Sequence, residues 1–453
     1  MSTASATGRI SAWLRLLATL SLLAAAVAAR AAIPIQHWQQ PSGAQVYLVE
    51  SRGIPMVDIQ VDFDAGGRRD PAGQAGLASV TASMSGKGVR AHGDQPALDE
   101  NQVSEAWADL GAGFGGQAGS DRMSFSLRSL SDPALLDRAI ELAARQFGEP
   151  VFPAAVWERD RQRMSAAIRE ANTRPGTVAA KAFDHAVYGS HPYGAEVTGA
   201  TLAAFGVEDM RRFFAGHVLP CRAKVSVVGD VDRARADAIV ARMLARLPQP
   251  AAGCPPLPPV PEVAPLAAPA TVAIPFDSAQ AHVLIGEPGY KRSDPDHFAL
   301  VVGNYILGGG GLVSRLSTEV REKRGLSYGA YSYFSPGLHA GAFTIGLQTR
   351  PDQAAEATAV AREVLARYVA EGPTQAELKA AKDYLIGGFP LRIDSNAKLL
   401  GNVAAIAWHG LPLDYLDTWT AHIARVTAAD VRAALQRKLD PARVVTVTVG
   451  AKP

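Results

Sequence analysis

Cysteine and excess charge are both scarce in this sequence. Only two of its 453 residues are cysteine, Cys221 and Cys254, and 45 basic residues nearly balance 43 acidic ones. A formal net charge of +2 gives no electrostatic basis for binding nucleic acid or an acidic membrane surface, so we expect neither partner. Two distant cysteines form no metal motif by themselves. An oxidising compartment would permit a disulfide between them, but the sequence leaves that pairing open.

Histidine at metal-binding spacing is absent as well. None of the ten histidines lies four residues from another with a carboxylate between them, the spacing that places zinc ligands on one helix face. The closest cluster is Asp184, His185 and His191, and His191 is better explained as the cap of a turn at Pro192. Ser314 follows a glycine run but lacks the flanking glycines of a hydrolase nucleophile. We therefore predict no metal ligand in this chain.

A long apolar run occurs at the N terminus. Two arginines precede an apolar segment from Leu16 to Ala29, and residues 29–31, Ala-Arg-Ala, form a cleavage site of the A-x-A type. This pattern predicts a secretory signal peptide over residues 1–31, a mature chain that starts near Ala32, and no membrane contact after cleavage. A membrane anchor is the weaker alternative, because the run is shorter than the roughly 20 residues that span a bilayer. The predicted location is the periplasm.

Hydrophobic periodicity predicts alternating strands and helices in the remaining chain. The predicted strands are Gln45–Glu50, Met56–Phe63, 123–127, 225–230 and 444–450. The predicted helices cover residues 74–85, 98–110, 133–147, 153–172, 207–216, 297–307 and 428–438. Several short strands alternating with helices on this scale indicate an α+β protein.

A proline-rich segment divides the chain into two similar parts. Residues 248–269 hold nine prolines and little charge, so we expect an extended, semi-rigid linker. The order of elements then repeats: a strand, a turn beginning Asp-Pro (at Asp70 and again at Asp294), a helix, and finally a buried strand that ends in glycine. The fold class we predict is α+β, with two homologous α/β-roll domains at residues 32–247 and 270–453. Each domain would have an antiparallel sheet with helices on one face.

Residues 308–334, GGGGLVSRLSTEVREKRGLSYGAYSYF, carry the most specific pattern. After the four glycines we predict a short helix with apolar residues on one face, namely Leu312, Val313, Leu316 and Val320. Gly325 would end this helix, and a strand would begin near Leu326. Arg321 then lies on the last helical turn and Tyr328 at the start of the strand. We expect the two side chains to meet in one cleft.

This pattern resembles the second half of the pitrilysin/insulinase family (M16) of zinc peptidases, in its processing-peptidase-like branch. There the arginine and tyrosine of an R-x-x-x-x-x-x-Y motif hold and polarise substrate, which implies catalytic roles for Arg321 and Tyr328. The resemblance covers essentially the whole mature chain and implies that its two domains form a clamshell. The glycine run itself leaves two interpretations of Gly309, Gly310 and Gly311. They form either a flexible hinge or a backbone edge that faces a substrate peptide, or else a helix start that needs close backbone approach.

Catalytic members of that family carry H-x-x-E-H on the helix after the first Asp-Pro turn. In this chain Ser79 and Ser83 occupy the histidine positions, Ala82 occupies the glutamate position, and Ala167 aligns with the more distant glutamate ligand. Serine hydroxyls are poor zinc ligands compared with imidazole or carboxylate. The resemblance therefore implies a member without a zinc site.

In related two-chain peptidases, one subunit carries H-x-x-E-H and the other carries the Arg/Tyr pair. We therefore predict a metal-free subunit of a periplasmic heterodimer, with zinc in an H-x-x-E-H partner and a peptide as substrate. One alternative is a non-enzymatic periplasmic protein that binds peptides on its sheet edges or acts as a scaffold. Another is a self-sufficient hydrolase with an unrecognised site.

Overall fold

The computed structural model describes residues 33–250 and 253–452, so the predicted signal peptide lies outside the described residues. Two large β-sheets, one from each half of the chain, organise the described part of the fold. No helix in the described ranges has the length and apolarity needed to cross a bilayer.

The first sheet has six strands in the order β1-β2-β8-β3-β7-β6. These are β1 (Gln36–Gln39), β2 (Gln45–Glu50), β3 (Met56–Phe63), β6 (Gly113–Ala118), β7 (Met123–Leu130) and β8 (Lys224–Gly229). A separate hairpin joins β4 (Gly88–Val89) and β5 (Leu98–Asp99). Strands β2 and β8 are parallel, and the other pairs of this sheet are antiparallel.

The described helices of the first half are α1 (Leu77–Met84), α2 (Glu100–Asp109), α3 (Pro133–Gly148), α4 (Ala154–Ala171), α5 (Pro175–Tyr188), α6 (Gly199–Ala203), α7 (Val207–His217) and α8 (Arg233–Leu244). Except for α5, they share a hydrophobic core with this sheet. Phe63 from β3, Phe125 from β7 and Phe147 from α3 form an edge-to-face aromatic cluster at the centre of this core.

The second sheet has five strands in the order β11-β12-β10-β13-β9. They are β9 (Ala270–Ile274), β10 (Ala281–Tyr290), β11 (Ser327–Phe334), β12 (Gly341–Thr349) and β13 (Val445–Val449). The helices of this half are α9 (His297–Asn304), α10 (Ala354–Glu371), α11 (Gln375–Gly387), α12 (Asn396–His409), α13 (Tyr415–Arg425) and α14 (Ala428–Lys438). This is the predicted α+β architecture, with one parallel pair, β9 and β13, added to the antiparallel strands.

Each half also contributes a helix to the other half's sheet. Helix α5 from the first half packs on β10 and β13, where Phe183 joins a buried cluster with Val445, Val447 and Val449. Helix α12 from the second half packs on β8 and β3 of the first sheet. There the Lys224 ammonium donates to the backbone carbonyls at the end of α12. The second face of each sheet is thus partly covered, and the two halves interlock.

The proline-rich segment follows the surface without forming a helix or a strand in its described part. A disulfide joins Cys221 to Cys254 and fixes the start of the segment to the first half. Further along, Arg222 donates to the carbonyl of Pro255 at 2.5 Å, and His191 lies 3.0 Å from the carbonyl of Pro261. The sequence left the cysteine pairing open. The boundaries of the two domains stay predictions.

Candidate functional site

A β-bulge decides where Tyr328 points. Strand β11 pairs Ser327 with Thr349 and Ala330 with Leu347, so three steps along β11 match two steps along β12. The extra residue is a bulge, which reverses the alternation of side chains on the bulged strand. Without it, Tyr328 would lie on the same face as the buried Ala330. With it, the Tyr328 side chain lies on the outer face of the sheet.

The outer face of β11 therefore carries three tyrosines. Tyr328 is 87% exposed, Tyr331 is 48% exposed and Tyr333 is 44% exposed. The rings of Tyr331 and Tyr333 are stacked, with centroids 6.1 Å apart. Tyr331 covers Gly346 of β12, where a side chain would collide with the ring at 2.5 Å. Burial raises the pKa of Tyr331 above its ordinary value. Tyr328 alone among the three is almost fully open to solvent.

The segment before β11 differs from the predicted helix. Gly311–Val313 forms a separate 3-10 turn, and Ser317–Glu322 is a π-helix. Leu316 and Val320 are buried as predicted, but Leu312 and Val313 are 59% and 77% exposed, so the prediction of one continuous apolar face was wrong. The physical reason is the positive φ of +63° at Gly311, which turns the chain before the helical part begins.

The π-helix ends at Glu322, and Gly325 lies in the turn that follows, three residues later than that end. Its φ of +62° lies in the left-handed region, and its N–H donates to the carbonyl of Arg321 at 2.9 Å. The Leu326 N–H donates to the carbonyl of Val320 at 3.0 Å, which turns the chain directly into β11. A π-helical turn is wider than an α-helical one and is frequent at functional sites. It carries Arg321 on its last turn, beside the first residues of the strand.

The structure brings Arg321 and Tyr328 together. The Arg321 guanidinium carbon lies 4.9 Å from the centroid of the Tyr328 ring, a cation–π contact. At such an exposed site this contact contributes about 0.5–1 kcal/mol. Within residues 33–250 and 253–452, Arg321 has no carboxylate partner, and the Tyr328 hydroxyl makes no hydrogen bond. Both polar groups are free to contact a ligand, while their catalytic roles stay predictions.

The glycine run has a structural explanation. A side chain at Gly308 would lie 2.3 Å from the backbone nitrogen of Ser332 in β11. Two hydrogen bonds hold this close approach: Asn304 Nδ2 donates to the Ser332 carbonyl at 3.1 Å, and Ser332 Oγ donates to Asn304 Oδ1 at 2.8 Å. Close packing of this kind favours the structural interpretation of the run.

The substrate-contact prediction concerned the next three glycines. Gly309 and Gly311 are exposed and Gly310 is half-buried. A side chain at Gly309 or Gly310 would approach Asn304 or Tyr305 to within 2.8 Å. Packing therefore accounts for glycine at these positions, and contact with a substrate stays a prediction.

Residues 325–329 match the G-x-S-x-G pattern of a hydrolase nucleophile. Its serine, Ser327, is 7% exposed. The Ser327 hydroxyl lies within donating distance of two backbone carbonyls, those of Gly329 at 2.7 Å and Gln348 at 2.6 Å. A buried hydroxyl that stabilises a bulge is no activated nucleophile, since an adjacent base is what activates serine.

Three of the four degenerate zinc positions lie on α1, and the side chain of Asp70 holds the start of this helix. The Asp70 carboxylate accepts the N–H groups of Gly76 and Ala78, both at 2.7 Å, and burial raises its pKa to about 6. Ser79 and Ser83 are exposed on one face of this helix.

The remaining degenerate positions give no ligand either. Ala82 is fully buried, and Ala167 is an exposed residue of α4. Helix α1 packs so closely on β6 that a side chain at Gly116 would lie 2.7 Å from the Ala82 carbonyl. Across the described ranges, no group of three or more His, Cys, Asp or Glu residues is arranged to hold a metal ion.

Two interlocked α+β halves give this chain the clamshell-type fold of M16 structures, and the comparisons identify its family. The family model described as "Peptidase M16 inactive domain" matches residues 204–385. The crystal structure of a peptidase M16 inactive domain from Pseudomonas fluorescens is 34% identical with a TM-score of 0.86, covering 92% of this chain and 98% of that chain. The periplasmic protease PqqL from Escherichia coli shares the fold alone, at 18% identity and a TM-score of 0.77, covering 92% of this chain and 46% of that chain.

Two curated relatives are similar in sequence to this chain over shorter alignments. An uncharacterized zinc protease of Streptomyces coelicolor is 33% identical over 270 residues, which is 57% of each protein. The non-peptidase homolog YmxG of Helicobacter pylori is 32% identical over 160 residues, 34% of this chain and 36% of the relative. This chain spans 57% or less of these curated relatives. The chain belongs to the peptidase M16 family, and the predicted family and fold class are confirmed.

Proposed function

We propose that this chain is the metal-free subunit of a periplasmic, heteromeric M16-type metallopeptidase. Arg321 and Tyr328 would act in the zinc site of a partner chain that carries H-x-x-E-H. One observation supports this proposal most strongly. The chain has serine and alanine at the family's zinc-ligand positions, yet it carries an Arg/Tyr pair whose polar groups have no ion pair or hydrogen bond within the described residues. The matching family model is described as an inactive domain and one relative as a non-peptidase homolog, which supports a chain that lacks a zinc site of its own.

The geometry suggests a distinct task for each side chain. The Tyr328 hydroxyl would donate a hydrogen bond to the scissile carbonyl of a peptide, and then to the oxyanion that develops on it. Arg321 would orient the substrate or stabilise the same charge, since its guanidinium lies over the Tyr328 ring and has no competing carboxylate. Zinc held by the partner would supply the activated water for the attack on that carbonyl.

The proposed location rests on two features. The N-terminal sequence has the form of a secretory signal peptide. The Cys221–Cys254 disulfide suits an oxidising compartment such as the bacterial periplasm.

Reconstitution with an H-x-x-E-H homologue from the same organism tests the proposal. The mature chain, the homologue and their mixture are each given short unstructured peptides at equal enzyme concentration. We expect negligible hydrolysis by the chain alone and hydrolysis by the mixture well above the sum of the separate rates, because each protein would hold only part of the site. Full activity of the homologue alone, unchanged by this chain, would rule out the proposed role.

The non-enzymatic alternative is supported by a different observation. Among the described strands of the two large sheets, β1, β6, β9 and β11 lie at the edges, and an edge strand leaves backbone groups open for strand addition. A cavity of about 570 Å³ separates β6 from α12 and is lined by Gly115, Gln117, Leu400 and Gly401 among others. Stable peptide binding without hydrolysis in any mixture would favour this function, and hydrolysis by the lone chain would favour a self-sufficient enzyme.

A further inference from the structure

The Glu319 carboxylate is the shared partner of three cations near Arg321. Glu319 lies on the same π-helix, two residues before Arg321. Its side-chain oxygens lie 2.8 Å from the Lys323 ammonium, 2.7 Å from the Arg324 guanidinium and 3.8 Å from the guanidinium of Arg367 on α10. The hydrogen bonds from Lys323 and Arg324 hold the pKa of Glu319 below its ordinary value. Glu319 is therefore ionised and shared among three cations.

The same contacts hold the backbone turn that carries Arg321. Besides its bond to the Glu319 carboxylate, Arg324 donates to the Glu319 backbone carbonyl at 2.8 Å. These two bonds close a loop across the helix end, with Arg321 inside it. The contact with Arg367 ties this turn to α10. The Glu319 side chain is only 16% exposed, so solvent screens these ion pairs less than it screens fully exposed ones.

Arg321 is the exception among these neighbouring cations. Within the described residues it makes no ion pair, and its contact is with the Tyr328 ring at 4.9 Å. If the Glu319 charge were absent, Lys323 and Arg324 would lose their counterion within three residues of Arg321. The positive charges of Lys323, Arg324 and Arg321 would then repel one another, because no carboxylate would lie between them. The loop across the helix end would open. Arg321 would then no longer be confined to the face of Tyr328.

We propose that Glu319 is the positioning residue of the Arg/Tyr pair. Its carboxylate binds the surrounding cations and fixes the last helical turn, which keeps the Arg321 guanidinium over Tyr328 and available to substrate. Glu319 touches no substrate in this scheme and acts through Arg321. The consequence for turnover rests on the proposed function, whereas the effect on the position of Arg321 does not.

The position of Arg321 can be measured on the mature chain alone. In a sample labelled with 15N-arginine, the Arg321 Nε–H signal is identified by its loss in Arg321→Lys. The Tyr328 ring current displaces this signal, so Tyr328→Leu gives the reference for an unstacked guanidinium. We expect Glu319→Gln to move the signal most of the way to that reference. The charge-swapped pair, Glu319→Arg with Arg324→Glu, should return it toward the wild-type position.

Glu100 in α2 provides a matched control. Its carboxylate also binds two cations, Lys87 at 2.6 Å and Arg159 at 2.9 Å, but it belongs to the first half of the chain. Glu100→Gln should leave the Arg321 signal unchanged. The proposal is contradicted if Glu319→Gln also leaves the signal at its wild-type position. It is equally contradicted if the swapped pair behaves like Glu319→Gln, because the role would then not depend on the ion pair.

Turnover of the reconstituted complex separates this inference from the proposed function. We expect Glu319→Gln to lower kcat about tenfold with little change in KM, since small displacements of a catalytic group cost up to roughly a hundredfold. The swapped pair should recover most of that loss. A displaced Arg321 signal with unchanged turnover in both Glu319→Gln and Arg321→Ala would overturn the proposed function while leaving the positioning role intact.

Discussion

Replacing Tyr328 with phenylalanine should lower the kcat of the reconstituted complex by about a hundredfold or more, because removing one oxyanion donor typically has that effect. The ring would remain, so the contact with the Arg321 guanidinium at 4.9 Å should persist. The side chain is 87% exposed and its hydroxyl makes no hydrogen bond within the described chain. The substitution therefore removes a donor without disturbing folding, and KM and complex formation should change little.

Tyr331→Phe is the matched control for this experiment. Tyr331 projects from the same face of β11 and is 48% exposed, but its ring rests on Gly346 and is not beside Arg321. Its hydroxyl should be dispensable for turnover. Steady-state kinetics of both variants, with size-exclusion chromatography to confirm assembly, give the comparison. Wild-type turnover by the Tyr328→Phe complex would refute the assigned role.

Replacing Phe183 with alanine should destabilise the mature chain by about 3–5 kcal/mol, the usual range for a buried phenylalanine. Phe183 lies on α5 of the first half but is 3% exposed within a cluster of valines from β13 of the second half. Its ring also packs over Gly286, where a side chain would come within 2.8 Å of it. The substitution would leave a cavity between a helix and a sheet from different halves.

Urea-induced unfolding of the mature chain measures this effect. His185→Ala is the matched control, because His185 is an exposed residue of the same helix and its loss should change the free energy of unfolding by less than about 0.5 kcal/mol. Equal stabilities for the two variants would show that α5 does not pack on the second sheet in solution.

The sequence predicted some strands closely and missed others, among them the interior strand β12 and the edge strand β6. Strands β2 and β3 were predicted with the bounds that the structure has, because each is long, apolar and regular in its alternation. Strand β6 was missed because three of its six residues are glycine and it lies at a sheet edge, where little burial is required. Helix α5 was missed although Ala179, Phe183 and Val187 follow helical spacing and Pro175 stands at the first helical position, where proline is favoured.

The candidate site shows the same limit. The resemblance identified Arg321 and Tyr328, but simple alternation along β11 places Tyr328 on the buried face. Only the bulge, which is a property of pairing with β12, turns it outward. Spacing of four residues could have suggested the Glu319–Lys323 pair. The contact with Arg367 depends on the packing of α10 and could not be predicted from local sequence.

The zinc content of the purified mature chain tests the division of roles most directly. Metal is offered to the chain alone, excess is removed by gel filtration, and bound zinc is measured by elemental analysis. With serine and alanine at the ligand positions, we expect less than about a tenth of an equivalent of zinc per chain. Close to one tightly bound equivalent would contradict this interpretation, because the chain would then hold a metal site of its own.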